Sequence, residues 1–125
     1  MTTLLDSSGW IELLVGTKRA DLFEPALKAE RLIVPAIVRY EVGRYVLAHS
    51  GEVAREMAIR AMAKFEQVAV DAAVADEASL LAAKHKMAMA DALIYAVACS
   101  REAELWTQDS HFENLPGVRF FRKGG

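Results

Sequence analysis

The sequence contains one cysteine, three prolines and no long apolar run. The single Cys99 excludes an internal disulfide framework and a zinc site built from several cysteines. It lies in a helical run of small apolar residues, which predicts a buried structural thiol. The most apolar stretch, residues 87–100, is too short to span a bilayer and contains an aspartate. The N-terminus lacks a basic segment followed by an apolar core, so we expect no secretory signal and a cytoplasmic protein.

Neither sign of charge dominates the sequence. The 15 lysines and arginines against 17 aspartates and glutamates give a net charge of −2, and the basic residues are scattered. Bulk charge therefore does not indicate a nucleic-acid-binding protein, although a small basic patch would suffice for one. Apolar residues, by contrast, make up 54% of the 125-residue chain, which is ample for one core. We expect residues 1–125 to form a single domain.

Short apolar runs alternate with helical patterns along the chain. The predicted strands are residues 3–5, 31–34, 67–70, 104–107 and 118–121. The predicted helices are residues 10–15, 20–29, 37–48, 52–65, 72–86 and 90–101, with Pro25 bending or splitting the second. This alternation predicts an α/β fold with a mostly parallel sheet that is flanked by helices.

Asp6 directly follows the first predicted strand. Ser7 and Ser8 come next, and we expect them to cap the helix that begins at Trp10. A carboxylate at the C-terminal end of a strand lies at the edge where open α/β sheets bind ligands. Taken by itself, however, Asp6 is better explained as a helix cap.

Three further carboxylates occupy unusual positions. Glu41 shares the apolar face of its predicted helix, Asp91 begins a helix, and Asp109 comes two residues after Thr107 at the end of the fourth strand. Each has a simple structural explanation: an ion pair at the rim of the core, an anion in a first helical turn, and an Asp turn. The four acids become informative only as a set.

If the first and fourth strands are neighbours, Asp6 and Asp109 meet at the switch point of the sheet. The helices that carry Glu41 and Asp91 then lean over the same edge. Four converging carboxylates repel one another unless cations neutralise them. Oxygen ligands without a cysteine or histidine cluster favour Mg²⁺ or Mn²⁺, and such a site suits phosphodiester cleavage.

Four motifs carry a family resemblance that covers nearly the whole chain. They are Leu4-Leu5-Asp6-Ser7-Ser8, Pro35 followed by Tyr40-Glu41-Val42, Ala90-Asp91-Ala92-Leu93-Ile94-Tyr95-Ala96, and Leu105-Trp106-Thr107-Gln108-Asp109-Ser110-His111-Phe112 running into Leu115-Pro116-Gly117-Val118. In these motifs and their order, the chain resembles the PIN-domain ribonucleases, and among them the VapC-type toxins of type II toxin–antitoxin pairs. It departs from the family at Ser8, where many members carry asparagine.

The resemblance implies a single PIN-like domain whose five-stranded parallel sheet has the order 3-2-1-4-5. It also implies a hydrolase, an endoribonuclease that depends on Mg²⁺ or Mn²⁺. Asp6, Glu41 and Asp91 match the three core catalytic acids, and Asp109 matches the more variable fourth. Asp6, Asp91 and Asp109 are the expected metal ligands, Glu41 a ligand or the residue that orients and deprotonates the water, and Thr107 a supporting hydroxyl.

The resemblance further implies three partners: an RNA substrate, a cognate antitoxin and a second copy of the chain in a homodimer. Ser7 is a further supporting residue, placed to contact phosphate. The antitoxin is expected to insert a helix or an extended segment into a groove. Apolar side chains available for that groove are Trp10, Phe23, Tyr40 and Tyr45.

Two other readings stay open on the sequence. One is a receiver-like domain with Asp71 as its phosphoacceptor, although the segment Phe120-Phe121-Arg122 lacks the lysine expected there. The other is a non-catalytic interaction module in which the acids are merely helix caps. RNA cleavage that EDTA inhibits, autophosphorylation by acetyl phosphate, or neither result separates the three.

Overall fold

Five parallel strands form one sheet in the computed structural model, which describes residues 1–124. The strands are β1 (Thr2–Leu5), β2 (Arg31–Pro35), β3 (Glu66–Val68), β4 (Glu104–Thr107) and β5 (Val118–Phe120). Their order is β3-β2-β1-β4-β5, and every neighbouring pair is parallel. The predicted α/β class and strand order are confirmed.

The strand order places β1 at the centre of the sheet. Leu4 is in register with Ile33 of β2 on one side and with Leu105 of β4 on the other. All three side chains are fully buried, as expected for a parallel sheet covered on both faces. Strands β2 and β3 lie on one side of β1, and strands β4 and β5 lie on the other. The carboxyl ends of β1 and β4 therefore form the switch point of the sheet.

Five helices connect the strands of the described chain. They are α1 (Ser7–Val15), α2 (Ala20–Phe23), α3 (Ala36–Met62), α4 (Ala72–His85) and α5 (Met89–Ser100). A 3-10 turn, Glu24–Lys28, continues α2, so the predicted helix splits next to Pro25, which lacks the backbone donor. No helix of the described residues is long and apolar enough to cross a membrane.

The break predicted between two helices after β2 is a break inside α3. Gly51 has φ of 88° and ψ of −179°, which interrupts the helical backbone without separating its two halves in sequence. The positive φ suits a residue without a Cβ. The two predicted helices therefore become one kinked segment of 27 residues.

Helix α5 contributes much of the core on one side of the sheet. Its residues Ala92, Ile94 and 95–98 are buried. Cys99, which the sequence predicts to be buried, is exposed in the last turn of the helix. That prediction was wrong because a run of small apolar residues does not mark where the buried face of a helix ends.

Candidate metal centre

Asp6 lies at the carboxyl end of β1, where it caps helix α1. Its backbone is extended, and its Oδ1 accepts hydrogen bonds from the Gly9 amide at 3.0 Å and the Ser8 hydroxyl at 2.8 Å. Helix α1 therefore begins at Ser7, and the prediction that Ser7 and Ser8 cap a helix starting at Trp10 was wrong. A carboxylate in this position satisfies an orphan amide and faces the positive end of the helix.

Thr107 joins the ends of β4 and β1. Its side chain is fully buried, and its hydroxyl donates to Asp6 Oδ2 at 2.5 Å. The same hydroxyl oxygen accepts from the backbone amide of Asp109 at 2.9 Å. The register between Leu5 and Trp106 produces this contact, because the next residues along the two strands are Asp6 and Thr107.

Asp91 and Asp109 approach each other at the same edge. His111 Nδ1 lies 3.1 Å from Asp91 Oδ2 and 3.3 Å from Asp109 Oδ1. Each of these three residues offers one possible ligand atom, and the three atoms lie within 4.8 Å of one another. Asp91 comes from the first turn of α5, whereas the other two residues follow β4.

Glu41, in the first half of α3, reaches the site through Ser7. The Ser7 hydroxyl donates to Glu41 Oε1 at 2.5 Å, and Ser7 is the residue directly after Asp6. Hydrogen bonds and chain neighbours thus connect all six residues that the sequence singles out: Asp6, Ser7, Glu41, Asp91, Thr107 and Asp109.

The electrostatics of the centre favour a bound cation. Burial, with a smaller contribution from the charge of nearby Asp109, raises the pKa of Asp6 to about 6 against the hydrogen bonds from Thr107, Gly9 and Ser8 that lower it. Burial and the charge of Asp109 also raise the pKa of Asp91. Negative charge is therefore costly at this edge of the sheet, and a divalent cation would offset that cost.

The donor atoms present also suit a cation. Asp6 accepts three hydrogen bonds, so about one of its four lone-pair sites is left, on Oδ2. Asp91 and Asp109 with their carboxylate oxygens and His111 with a ring nitrogen form a group of possible ligand atoms within 4.8 Å of one another, and this group does not include Asp6. Carboxylate oxygens fit Mg²⁺ and Mn²⁺, and a nitrogen ligand also accommodates first-row transition ions.

Two residues of the centre were missed in the sequence. His111 was part of the fourth motif but was given no role, because a lone histidine after a strand does not indicate a ligand. Ser8 departs from the usual asparagine of the family, yet its hydroxyl contacts Asp6. The signal for Ser8 was its distance of two residues from Asp6, within reach of the first turn of α1.

Asp71, the phosphoacceptor of the receiver-like reading, lies elsewhere. It caps α4, where its side chain accepts from the Val74 amide at 3.0 Å. It follows β3, which is an outer strand of this sheet. Receiver domains have the strand order 2-1-3-4-5, which differs from the order found here.

A cleft of about 450 Å³ opens beside the metal centre. Ser8 and Asp109 line its side nearest the acids, and Phe120, Arg122 and Lys123 are among its other lining residues. The cleft therefore joins the acidic centre to two basic side chains of the C-terminal segment.

A model of the PIN domain family matches residues 3–118 of the chain. No curated protein matches the sequence. Among solved structures, a toxin–antitoxin complex from Klebsiella pneumoniae is 24% identical with a TM-score of 0.80, over 94% of this chain and 95% of that one.

Two further solved structures share the fold. VapC20 of Mycobacterium tuberculosis, described as a sarcin-ricin loop cleaving toxin, is 19% identical with a TM-score of 0.78 over 93% of this chain and 95% of that one. VapBC2 from Rickettsia felis, bound to a DNA fragment from its promoter, is 15% identical with a TM-score of 0.78 over 98% and 100%. At these identities the likeness concerns the fold.

Proposed function

The chain belongs to the PIN domain family, and on that basis we propose that it is a metal-dependent endoribonuclease that acts as the toxin of a toxin–antitoxin pair. The observation that carries the proposal is the approach of Asp91 and Asp109 to one another around His111, at the sheet edge where Thr107 links Asp109 to Asp6. We also propose that residues 1–125 form one domain and that the protein acts in the cytoplasm as a homodimer.

Asp6, Asp91 and Asp109 are the proposed ligands of Mg²⁺ or Mn²⁺. A bound divalent ion lowers the pKa of a coordinated water and stabilises the charge that develops on a phosphate. Thr107 is a positioning residue, since its hydroxyl fixes Asp6 Oδ2. Glu41 is the proposed group that orients and deprotonates the attacking water, and Ser7 holds its carboxylate by a direct hydrogen bond.

The experiment that tests this function is RNA cleavage by the purified protein. We expect cleavage with Mn²⁺ or Mg²⁺ that EDTA abolishes. Asp6→Asn and Asp91→Asn keep the shape of each side chain but remove its charge, so both should lose activity by at least about 100-fold. The matched control is Asp76→Asn, because Asp76 is an exposed aspartate in α4 with no side-chain hydrogen bond among the described residues.

Undiminished cleavage by both Asp6→Asn and Asp91→Asn would contradict the proposal. So would cleavage that persists in EDTA. Phosphorylation of the protein by acetyl phosphate would instead support the receiver-like reading, and inactivity in both assays would support the interaction module.

An apolar groove between α1 and α3 is the proposed antitoxin site. Two adjoining clefts of about 440 Å³ each share Leu14 and Ala61. Trp10 lines one and Tyr45 the other, while Phe23 is fully buried. Two similar solved structures are toxin–antitoxin complexes, which supports a protein partner for this chain, and its place in this groove is our proposal.

The groove offers a partner mainly apolar surface. Trp10 lines one cleft with only 2% of its surface exposed, and its Nε1 is buried and has no acceptor among the described residues. An inserted partner segment would therefore contact the groove through apolar side chains. We expect Met57→Glu, on the exposed rim of the groove, to prevent copurification with the coexpressed product of the neighbouring antitoxin reading frame while RNA cleavage persists. Unchanged copurification would reject this groove.

A further inference from the structure

His111 contacts two carboxylates of the proposed metal centre, those of Asp91 and Asp109, which come from separate parts of the fold. Its Nδ1 lies 3.1 Å from Asp91 Oδ2 on α5 and 3.3 Å from Asp109 Oδ1 after β4. A nitrogen at these distances from two carboxylate oxygens occupies the position of a third donor around one point. The ring is also 71% exposed, so an ion from solvent reaches it without any rearrangement of the core.

The local backbone holds His111 next to Asp109. His111 is the middle residue of the 3-10 turn Ser110–Phe112, which Asp109 caps by accepting from the His111 amide at 2.9 Å. The next residue, Phe112, is 1% exposed and anchors the turn in the core. Asp109 and His111 are thus held as a pair, and a change in one rotamer does not separate their backbones.

Nitrogen changes the ion preference of an oxygen site. Mg²⁺ demands oxygen ligands in near-ideal octahedral geometry and gives up its waters reluctantly. Mn²⁺ takes carboxylate oxygens as Mg²⁺ does, but it also belongs to the first-row ions whose affinity for nitrogen-containing sites follows the Irving–Williams order, in which it stands lowest. A histidine beside the aspartates therefore adds a nitrogen ligand that Mn²⁺ uses more readily than Mg²⁺ does.

We propose that His111 is a direct metal ligand and that it makes this centre select Mn²⁺ over Mg²⁺. The inference rests on the proposed metal-dependent function but concerns the identity of the ion and not the cleavage of RNA. The opposing possibility is that a charged imidazolium bridges Asp91 and Asp109 and competes with the cation for the same oxygens. The two roles predict opposite effects of removing the ring.

The test measures Mn²⁺ binding to the full chain at pH 8 in the absence of RNA. The electron paramagnetic resonance signal of free Mn²⁺ reports how much of the ion remains unbound. We expect His111→Ala to weaken Mn²⁺ binding by about tenfold or more, and Mg²⁺ binding, measured by competition, by less than about threefold. His49→Ala is the matched control, because it removes an exposed imidazole that stacks on Tyr45 in α3. We expect its affinities to equal those of the wild type.

A spectroscopic readout separates ligation from a structural role. Electron spin echo modulation of bound Mn²⁺ should show coupling to ¹⁴N in the wild type and in His49→Ala, and no such coupling in His111→Ala. Absence of ¹⁴N coupling in the wild type, equal losses of affinity for the two ions, or tighter Mn²⁺ binding by His111→Ala would each overturn the proposal.

The binding experiment is independent of the cleavage assay. If the protein cleaves no RNA but binds Mn²⁺ through nitrogen, the proposed ribonuclease function fails and the ligand assignment stands. If it cleaves RNA and Mn²⁺ shows no nitrogen coupling, the ligand assignment fails and the function stands.

Discussion

Asp6 has two roles that compete for its oxygens. As the cap of α1 it accepts from Gly9 and Ser8, and as a proposed metal ligand it offers what remains of Oδ2 beside the Thr107 hydroxyl. The cap holds the carboxylate rigidly, whereas burial at 3% exposure makes its charge costly without a cation. This combination makes Asp6 the residue whose protonation should be visible in the stability of the metal-free protein.

Burial raises the pKa of Asp6 from 3.8 to about 6, so the folded protein favours the protonated form more than the unfolded chain does. The resulting stabilisation is complete below the unfolded pKa and is lost as the pH rises through about 6. A pKa that is higher by about 2 in the folded state than in the unfolded chain corresponds to about 3 kcal/mol of unfolding free energy. In EDTA, we expect the wild type to lose up to about 3 kcal/mol of unfolding free energy between pH 4 and pH 7 that Asp6→Asn does not lose.

Urea unfolding at the two pH values measures this difference. The amide of Asp6→Asn keeps the acceptor for Gly9 and Ser8, so the cap survives while the titration is removed. Asp76→Asn, at an exposed site, should follow the wild-type pH dependence. Parallel curves for the wild type and Asp6→Asn would show that the charge of Asp6 costs nothing in the fold.

The residue scale also shows where the sequence was sufficient and where it was not. Asp6, Glu41, Asp91 and Asp109 were singled out as a set, since each alone has a structural explanation, and their catalytic roles stay predictions. The contact between His111 and Asp91 was not predictable from the sequence, because it depends on the distance between α5 and the turn after β4. That distance is a property of packing between residues 20 positions apart.

At the scale of single elements, α1 is positioned by Gly9. A Cβ built on Gly9 would lie 2.3 Å from Leu5 Cδ1 and 3.0 Å from Phe23 Cδ1, and both neighbours are fully buried. The absence of a side chain thus lets the first turn of α1 approach the end of β1. The same close approach allows the Gly9 amide to donate to Asp6.

We expect Gly9→Ala to destabilise the protein by about 1–3 kcal/mol, because the added methyl group overpacks a closed part of the core. The matched control is Gly43→Ala in α3, where the nearest atom to a new Cβ is Ile59 Cδ1 at an ordinary 3.8 Å. That change should stabilise the helix by about 0.5–1 kcal/mol. Urea unfolding of both variants gives the comparison, and an equal effect of the two substitutions would contradict the role of close packing at Gly9.

The elements were predicted correctly in type and approximately in extent. Hydrophobic periodicity located all five strands, and Pro25 located the end of α2. The start of α1 was misplaced because a serine pair and an aspartate are equally good caps on sequence grounds. The geometry of β1 decides between them, since Asp6 is the last residue in extended conformation.

At the scale of the whole molecule, the order of the strands assembles the site. The sheet order β3-β2-β1-β4-β5 makes β1 and β4 neighbours, which the sequence argument required and the family resemblance supplied. Periodicity by itself gives a parallel sheet but not its order, because the pairing of strands distant in sequence leaves no local pattern. The fold was therefore predictable in class from the residues and in topology only from the resemblance.

The protein has a net negative charge, and so does its proposed RNA substrate, so RNA binding requires a local basic surface. Although the net charge is −2, Arg122 and Lys123 lie at the cleft that contains Asp109. Arg122 is held by Glu113 at 2.8 Å and remains 78% exposed, and Lys123 is exposed too. If the protein cleaves RNA as proposed, this local basic pair is placed to contact phosphates next to the one that is cleaved.

Replacing Arg122 and Lys123 together by glutamine should therefore weaken RNA binding and leave the chemical step nearly unchanged. We expect KM to rise several-fold at constant kcat, and the slope of log Kd against log salt concentration to fall by about 1.4, since each of the two lost phosphate contacts on single-stranded RNA contributes about 0.7. The charge-matched control is Arg55→Gln with Arg60→Gln, a pair on α3 that contacts Glu56 outside the cleft. If both double variants change the salt slope equally, general electrostatic attraction and not this cleft guides the RNA.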